Sequence, residues 1–217
     1  MSDLAEALEE APVSLYQRIT SLNKKSSSPI RFLHFSSGCI WDGPYDEEGK
    51  PFTPNHSPRP AALYTWTKAS CDELLLREDA KNVSVLRPRQ VYSNQRSPRN
   101  TITKLNSYPR LVTTPNSMSS MEIIVKTVKH CLTSQTDWNG IWNIYDKGIT
   151  TPFEVGKMLA EAGLREMPVA LDKSELDTFH KPKRVDTVLY DERFERLLNP
   201  EPFDIVMRRT IEEFKKN

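Results

Sequence analysis

A chain of 217 residues has room for one domain, or for one domain with a small C-terminal lobe, and for a substantial core. Its formal charge of +1 argues against a dedicated nucleic-acid binder, and no apolar run approaches the roughly 18 residues that would span a membrane. The acidic N-terminus lacks the apolar stretch of a secretory signal, and three cysteines without metal spacing suit a reducing, cytoplasmic compartment.

Leu4, Leu8, Leu15, Ile19 and Leu22 keep roughly helical spacing, broken at Pro12. They predict an N-terminal helix and loop over residues 1–28. Residues 29–217 are expected to form one α/β domain, with a C-terminal lobe over 164–217. Ile30 to Phe35 is apolar enough for a buried parallel strand. The proline-, glycine- and charge-rich stretch from Asp42 to Pro60 predicts a long loop, and such loops are often functional. A helix is expected from about Ala61 to Ala80, then a strand over Val83–Leu86. A loop over Pro88–Arg99 leads to a short helix near Thr101–Ser107, a strand over Arg110–Thr113 and a helix over Glu122–Leu132. That last helix should turn Ile123, Ile124, Val128 and Cys131 inward. A strand over Ile141–Ile144 precedes a helix capped by Thr151, with Pro152 in its first turn and Gly163 at its end. The remainder should hold a short strand and two or three helices. Alternation of this kind implies an α/β fold with a mostly parallel sheet.

The chemistry centres on Tyr64-Thr65-Trp66-Thr67-Lys68, about 27 residues after Ser36-Ser37-Gly38-Cys39. Tyr64 and Lys68 share one helix face. An ammonium beside a phenol is expected to favour the phenolate and lower the tyrosine's pKa from about 10. Such a group exchanges protons with a carbonyl or sugar hydroxyl, and a serine at a strand end adds a hydrogen bond to the same oxygen. Taken singly, each residue has a plainer account: a surface tyrosine, a solvated lysine, a cysteine serving as a small buried hydrophobe. Arg87, Arg89, Arg96, Arg99 and Arg110 form a basic stretch that is either a solvated loop or a diphosphate clamp. Trp41, Trp66 and Trp142 read as core or pocket-wall aromatics, and the four histidines lack metal spacing.

The ordered set resembles the extended short-chain dehydrogenase/reductases, and within them the 4-keto-rhamnose reductases and bifunctional nucleotide-sugar 3,5-epimerase/4-reductases. It comprises Ser37-Gly38-Cys39-Ile40-Trp41, Tyr64-x-x-x-Lys68, Ser97-Pro98-Arg99-Asn100-Thr101-Ile102-Thr103-Lys104, Thr114-Pro115-Asn116-Ser117-Met118 and Gly140-Ile141-Trp142-Asn143-Ile144. The resemblance implies a truncated Rossmann-like, mostly parallel sheet with a small C-terminal substrate lobe. It implies catalytic roles for Ser37, Tyr64, Lys68, Cys39 and Lys104, and cofactor binding by Tyr64, Lys68 and Arg87. Ser36, Arg99, Asn100 and Arg184 would meet the substrate. In that scheme Tyr64 protonates the C4 oxygen, while Cys39 and Lys104 exchange protons at the flanking carbons. Arg184 sits in a segment where Val185 and Thr187 replace the proline and serine of the reductase pattern.

The family opens with a glycine-rich turn that cradles the cofactor pyrophosphate. Here the seven glycines begin at Gly38 and none forms that turn. The expectation is a chain lacking at least one βαβ unit, about 30 residues or more. NADPH or NADH would then serve a complete form, with binding by this chain alone in question. Expected partners are a nucleotide-sugar, no nucleic acid and no membrane. A homodimer or a partner chain supplying the missing segment both stay open. So do two other functions: a non-catalytic regulatory or scaffold subunit, and a plain 4-keto-sugar reductase in which Cys39 and Lys104 are structural.

Overall fold

The computed structural model describes residues 11–77, 82–179 and 184–217. Its elements run α1 (Ala11–Asn23), β1 (Phe32–Phe35), a short 3-10 turn (Gly38–Ile40), α2 (Leu63–Leu76), β2 (Val83–Pro88), α3 (Thr101–Ser107) and β3 (Arg110–Val112). They continue through α4 (Met121–Thr133), β4 (Gly140–Ile144), α5 (Pro152–Glu161), β5 (Val169–Leu171), α6 (Lys173–Phe179), α7 (Glu192–Leu198) and α8 (Phe203–Lys216). Among the described residues the N-terminal helix runs from Ala11, with Pro12 within it. Leu4, Leu8 and the expected end of α2 near Ala80 lie outside the described residues.

β2 is the centre of a three-stranded parallel sheet, flanked by β1 and β4. Val83 to Leu86 are fully buried, as a central strand demands. β1 departs from the buried strand that its apolar run predicts. It lies at an edge of this sheet, Phe32 and Leu33 are only half-buried, and Phe35 is exposed. A separate parallel pair, β3 with β5, brings residues 169–171 back against residues 110–112. Residues 164–217 divide among three clusters, the smallest placing Leu171 and Leu176 on Val112. Phe194 and Leu198 of α7 pack with Trp41, Phe52, Trp138 and Trp142. Val206, Met207, Ile211 and Phe214 of α8 pack with Leu111, Val155 and Leu159.

Local sequence accounts for the element ends. Thr151 caps α5 by accepting from Glu154 N at 3.0 Å, and the Glu154 carboxylate accepts from Thr151 N at 2.9 Å. Gly163 follows with φ of +74°, a conformation glycine adopts without penalty. On α4, Ile123, Ile124 and Cys131 are buried and Val128 packs against them, as the spacing predicts. Trp66 is the exception among the tryptophans: it is exposed on α2 rather than in the core or a pocket wall. Its helix buries the adjacent Thr65, Thr67 and Lys68 instead.

Two contacts fix how the layers meet. Gly156 lets α5 lie directly on β3. A Cβ there would run into Leu111 Cδ1 and stand 3.0 Å from Pro168 Cγ. Asp146, after β4, accepts from Ser120 N at 2.6 Å, Ser120 Oγ at 2.8 Å and Tyr92 OH at 2.9 Å. Burial nevertheless pushes its carboxyl up to about 6, with Ser120 and Tyr92 opposing the shift.

Gly156→Ala is therefore expected to destabilise the protein by about 1–3 kcal/mol in a denaturant titration, although alanine is the better helix former. For Asp146 the folded state holds its proton up to about pH 6, whereas an unfolded aspartate loses it near pH 4. The folded state binds more protons in that window, so stability contributed by this group is present below pH 4 and lost as pH rises through about 6. Measured against Asp146→Asn, the wild-type advantage should shrink by on the order of 2 kcal/mol across that range.

Candidate active site

The end of β1 turns sharply into the 3-10 segment. Ser37 precedes it and its Oγ accepts from Cys39 N at 3.1 Å. Gly38 is required by packing: a Cβ would stand 2.8 Å from Leu189 Cδ1 and 3.3 Å from Arg89 Cβ. This close approach presses the turn onto the residues after β2 and leaves the half-buried Cys39 facing a cavity.

α2 brings the tyrosine to the same place. Thr65 Oγ1 accepts from Ala62 N at 3.0 Å and so holds the first turn of the helix. Tyr64 lines the cavity, close enough to Ser37 for the serine hydroxyl to act on its phenol. Its pKa is raised, chiefly by burial and then by the nearby Cys39, with Ser37 and Arg89 pulling the other way. This reverses the lowered pKa expected from Lys68. The lysine, 9% exposed, directs Nζ to Phe35 O at 3.1 Å, and the cation that acts on the phenol is Arg89. The charge of Lys68 is felt at His34, where burial and that charge together hold the imidazole down at about 4. A neutral phenol is the form that donates a proton.

The cavity has a volume of about 850 Å³. Cys39, Tyr64, Arg89, Lys104, Arg110, Arg184 and Asp186 all line it, with Tyr108 and Phe179 as aromatic walls. The structure thus brings four groups named from sequence, Cys39, Tyr64, Lys104 and Arg184, to one space, with Ser37 close enough to act on the tyrosine. Other named residues lie elsewhere. Arg87 is buried in the core, where Nε donates to Asp72 Oδ2 at 2.8 Å and the guanidinium stacks over Trp41. It does not line the cavity. Ser36 is buried beneath the turn. Asn100 caps α3, its side chain accepting from Ile102 N and Ser93 N. Arg99 is exposed and does not line the cavity.

The basic stretch therefore separates into different jobs. Arg87 pairs with Asp72, Arg96 lies over Phe214, and Arg110 pairs with Glu175 at 2.5 and 2.6 Å. Arg89 is the site residue that sequence reasoning did not single out. It is 5% exposed, and its Nη1 donates to Cys39 Sγ at 2.9 Å. Nη2 donates to Asn116 Oδ1 at 2.8 Å and to Val185 O. Asn116 Nδ2 in turn donates to Asp186 Oδ1 at 2.7 Å, and Lys173 Nζ meets Asp186 Oδ2 at 2.7 Å. No local signal separates Arg89 from Arg87: one arginine of the two finds a carboxylate, the other an amide.

Comparison with known proteins agrees with this fold. No family model matches the chain. It is 33% identical over 143 residues to an Arabidopsis thaliana trifunctional UDP-glucose 4,6-dehydratase/UDP-4-keto-6-deoxy-D-glucose 3,5-epimerase/UDP-4-keto-L-rhamnose-reductase. The match covers 59% of this chain and 19% of that protein, so the chain spans about a fifth of the relative's length. The L780 UDP-rhamnose synthase of Acanthamoeba polyphaga mimivirus shares the fold with a TM-score of 0.81, at 21% identity, over 94% of this chain and 70% of that one. The chain resembles the nucleotide-sugar epimerase/reductases. Its fold is Rossmann-like, and it also superimposes on the Bacillus anthracis dTDP-glucose 4,6-dehydratase, solved in complex with NAD. That TM-score is 0.76 at 14% identity, over 98% of this chain and 69% of the other.

The site predicts that Ser37→Ala leaves the turn folded but removes the hydroxyl that accepts from Cys39 N and acts on the phenol. Because Ser37 lowers the phenol's pKa, Tyr64 should titrate at higher pH in Ser37→Ala than in wild type. The difference between Tyr64-containing and Tyr64→Phe spectra would show it, and an unchanged midpoint would show that Ser37 does not act on the phenol.

Proposed function

We propose that the chain is the substrate-side part of a nucleotide-sugar 3,5-epimerase/4-reductase. Its substrate would be a UDP- or dTDP-4-keto-6-deoxyhexose, as in rhamnose synthesis. The observation that carries this is the convergence of Cys39, Tyr64 and Lys104 on one cavity, with Ser37 acting on the phenol. A scaffold has no physical need for three proton-transfer groups around one solvent-accessible space. A plain reductase would need Tyr64 but neither of the other two. The relative's epimerase and reductase names point the same way.

The ketone acidifies its flanking C–H bonds. Cys39 takes a proton from one face and Lys104 returns one from the other, which inverts the carbon. Tyr64, held neutral, then gives its proton to the C4 oxygen during reduction, while Ser37 hydrogen-bonds that oxygen. Arg184, exposed at the rim, is the donor suited to the diphosphate. Reduction at C4 needs hydride, which a dihydronicotinamide such as NADPH would supply. Tyr64 and Lys68, one helical turn apart, fit the ribose end of such a cofactor. The pyrophosphate end is not met by the described residues: the glycine that packs under the site, Gly38, faces Leu189 and Arg89 rather than a phosphate cradle. A second segment, from a longer form or from a partner chain, is required for that end. A reducing cytoplasm would keep Cys39 available.

The 217 residues alone are accordingly expected to bind NADPH with a dissociation constant above about 100 μM, because backbone donors at a helix N-terminus provide much of the pyrophosphate affinity. Fluorescence titration that gave a low-micromolar value would contradict this. In a form completed by the cofactor segment, Tyr64→Phe should lower kcat for reduction by roughly 10²–10⁴ with little change in KM. In the same form Cys39→Ser and Lys104→Met should each stop solvent deuterium entering C3 and C5, yet leave reduction of an already epimerised ketone intact. Deuterium entry at the wild-type rate in both variants would return Cys39 and Lys104 to structural roles.

A further inference from the structure

Arg87 and Arg89 are both almost fully buried, yet only Arg87 has a carboxylate partner. Among the described residues Arg89 meets an amide oxygen, a backbone carbonyl and a sulfur. The nearest carboxylate in its network, Asp186, is one residue removed through Asn116 and is already paired with Lys173. A guanidinium buried without a counter-charge is costly. The group placed to supply that charge is the Cys39 sulfur, 2.9 Å from Nη1.

We propose that Arg89 is the positioning residue for Cys39. It fixes the sulfur at the cavity floor and holds it as the thiolate that abstracts the proton beside the ketone. The proposal deepens the epimerase/reductase reading of the same pocket and rests on it for the substrate. In the step, the C–H bond breaks and an S–H bond forms. The released electron pair moves into the new carbon–carbon double bond, and the ketone oxygen becomes the enolate oxygen. The guanidinium keeps its protons throughout, so its loss of a thiolate partner is matched by the appearance of the enolate in the same cavity. Tyr64 and Ser37 are placed to hydrogen-bond that oxygen.

The second hand of the guanidinium gives the arrangement its rigidity. Nη2 grips Asn116 and Val185, and Leu189 and Arg89 Cβ pack on Gly38. A lysine could carry the charge but could not make this fork. The charged and titratable groups around Cys39 are Tyr64 from α2, Lys104 from α3, Arg89 after β2, Arg110 on β3, and Arg184 and Asp186 from the segment before α7.

Alkylation of Cys39 tests this without substrate or cofactor, so its outcome is independent of whether the sugar assignment is right. Peptide mass mapping separates Cys39 from the buried Cys71 and Cys131. With iodoacetamide at neutral pH, Arg89→Gln should slow Cys39 labelling about tenfold and move its rate–pH profile to higher pH, while Arg89→Lys should recover part of the rate. A wild-type rate and profile in Arg89→Gln would overturn the proposal. Should Arg89→Gln fail to fold, the wild-type chain decides. A cation beside the sulfur favours the anionic reagent, so the iodoacetate-to-iodoacetamide rate ratio at Cys39 should exceed that of the urea-unfolded chain by about threefold or more. The surplus should persist in Lys104→Met. An equal ratio, or a surplus that vanishes with Lys104, would show that Arg89 does not govern this sulfur.

Discussion

The guanidinium of Arg89 joins three stretches that are distant in sequence. One nitrogen meets Cys39 after β1, and another meets Asn116 before α4 and Val185 before α7. Asn116 completes the junction: its side chain accepts from Thr187 N and donates to Asp186, and its backbone pairs with Thr150. Remove this junction and the cavity loses its floor, because Gly38, Leu189 and Arg89 pack on one another there. Apart from the half-buried Cys39, these residues are buried, so the network is held by the cost of leaving their polar groups unmatched.

The same low-polarity surroundings set the chemistry. Burial raises the Tyr64 phenol and keeps it protonated, which suits an acid rather than a base at neutral pH. Lys68, four residues on, is taken up by Phe35 O and its charge falls on His34 instead. The pair remains on one helix face, but proximity in a helix did not decide which cation the phenol senses. The path from β2, which carries Arg89 beneath the tyrosine, decided it.

Much of the fold was legible because its signals are local. Thr151-Pro152-Phe153-Glu154 announces a capped helix start and the structure makes both capping bonds. Ser37-Gly38-Cys39 and Tyr64-x-x-x-Lys68 lie where their order implied, at a strand end and on the following helix. What the sequence concealed is long-range. The apolar run of β1 reads as buried, but edge position leaves Phe35 exposed. Pairing of β3 with β5 cannot be read from three-residue strands. Arg87 and Arg89 are two apart, a spacing that would put both on one face of a continuing strand, but β2 ends at Pro88 between them, and one enters the core and the other the cavity. Nothing in their local composition says which.

The central claim is that this cavity performs proton transfer at the carbons beside a ketone. It can be tested on the chain itself, since that chemistry moves no hydride. Incubate the 217-residue protein with a UDP- or dTDP-4-keto-6-deoxyhexose in deuterium oxide, with no nicotinamide present, and follow C3 and C5 by NMR or mass spectrometry. The account predicts deuterium entering both carbons faster than in buffer alone. Incorporation at the buffer rate, with binding of the sugar nucleotide confirmed by calorimetry, would contradict it.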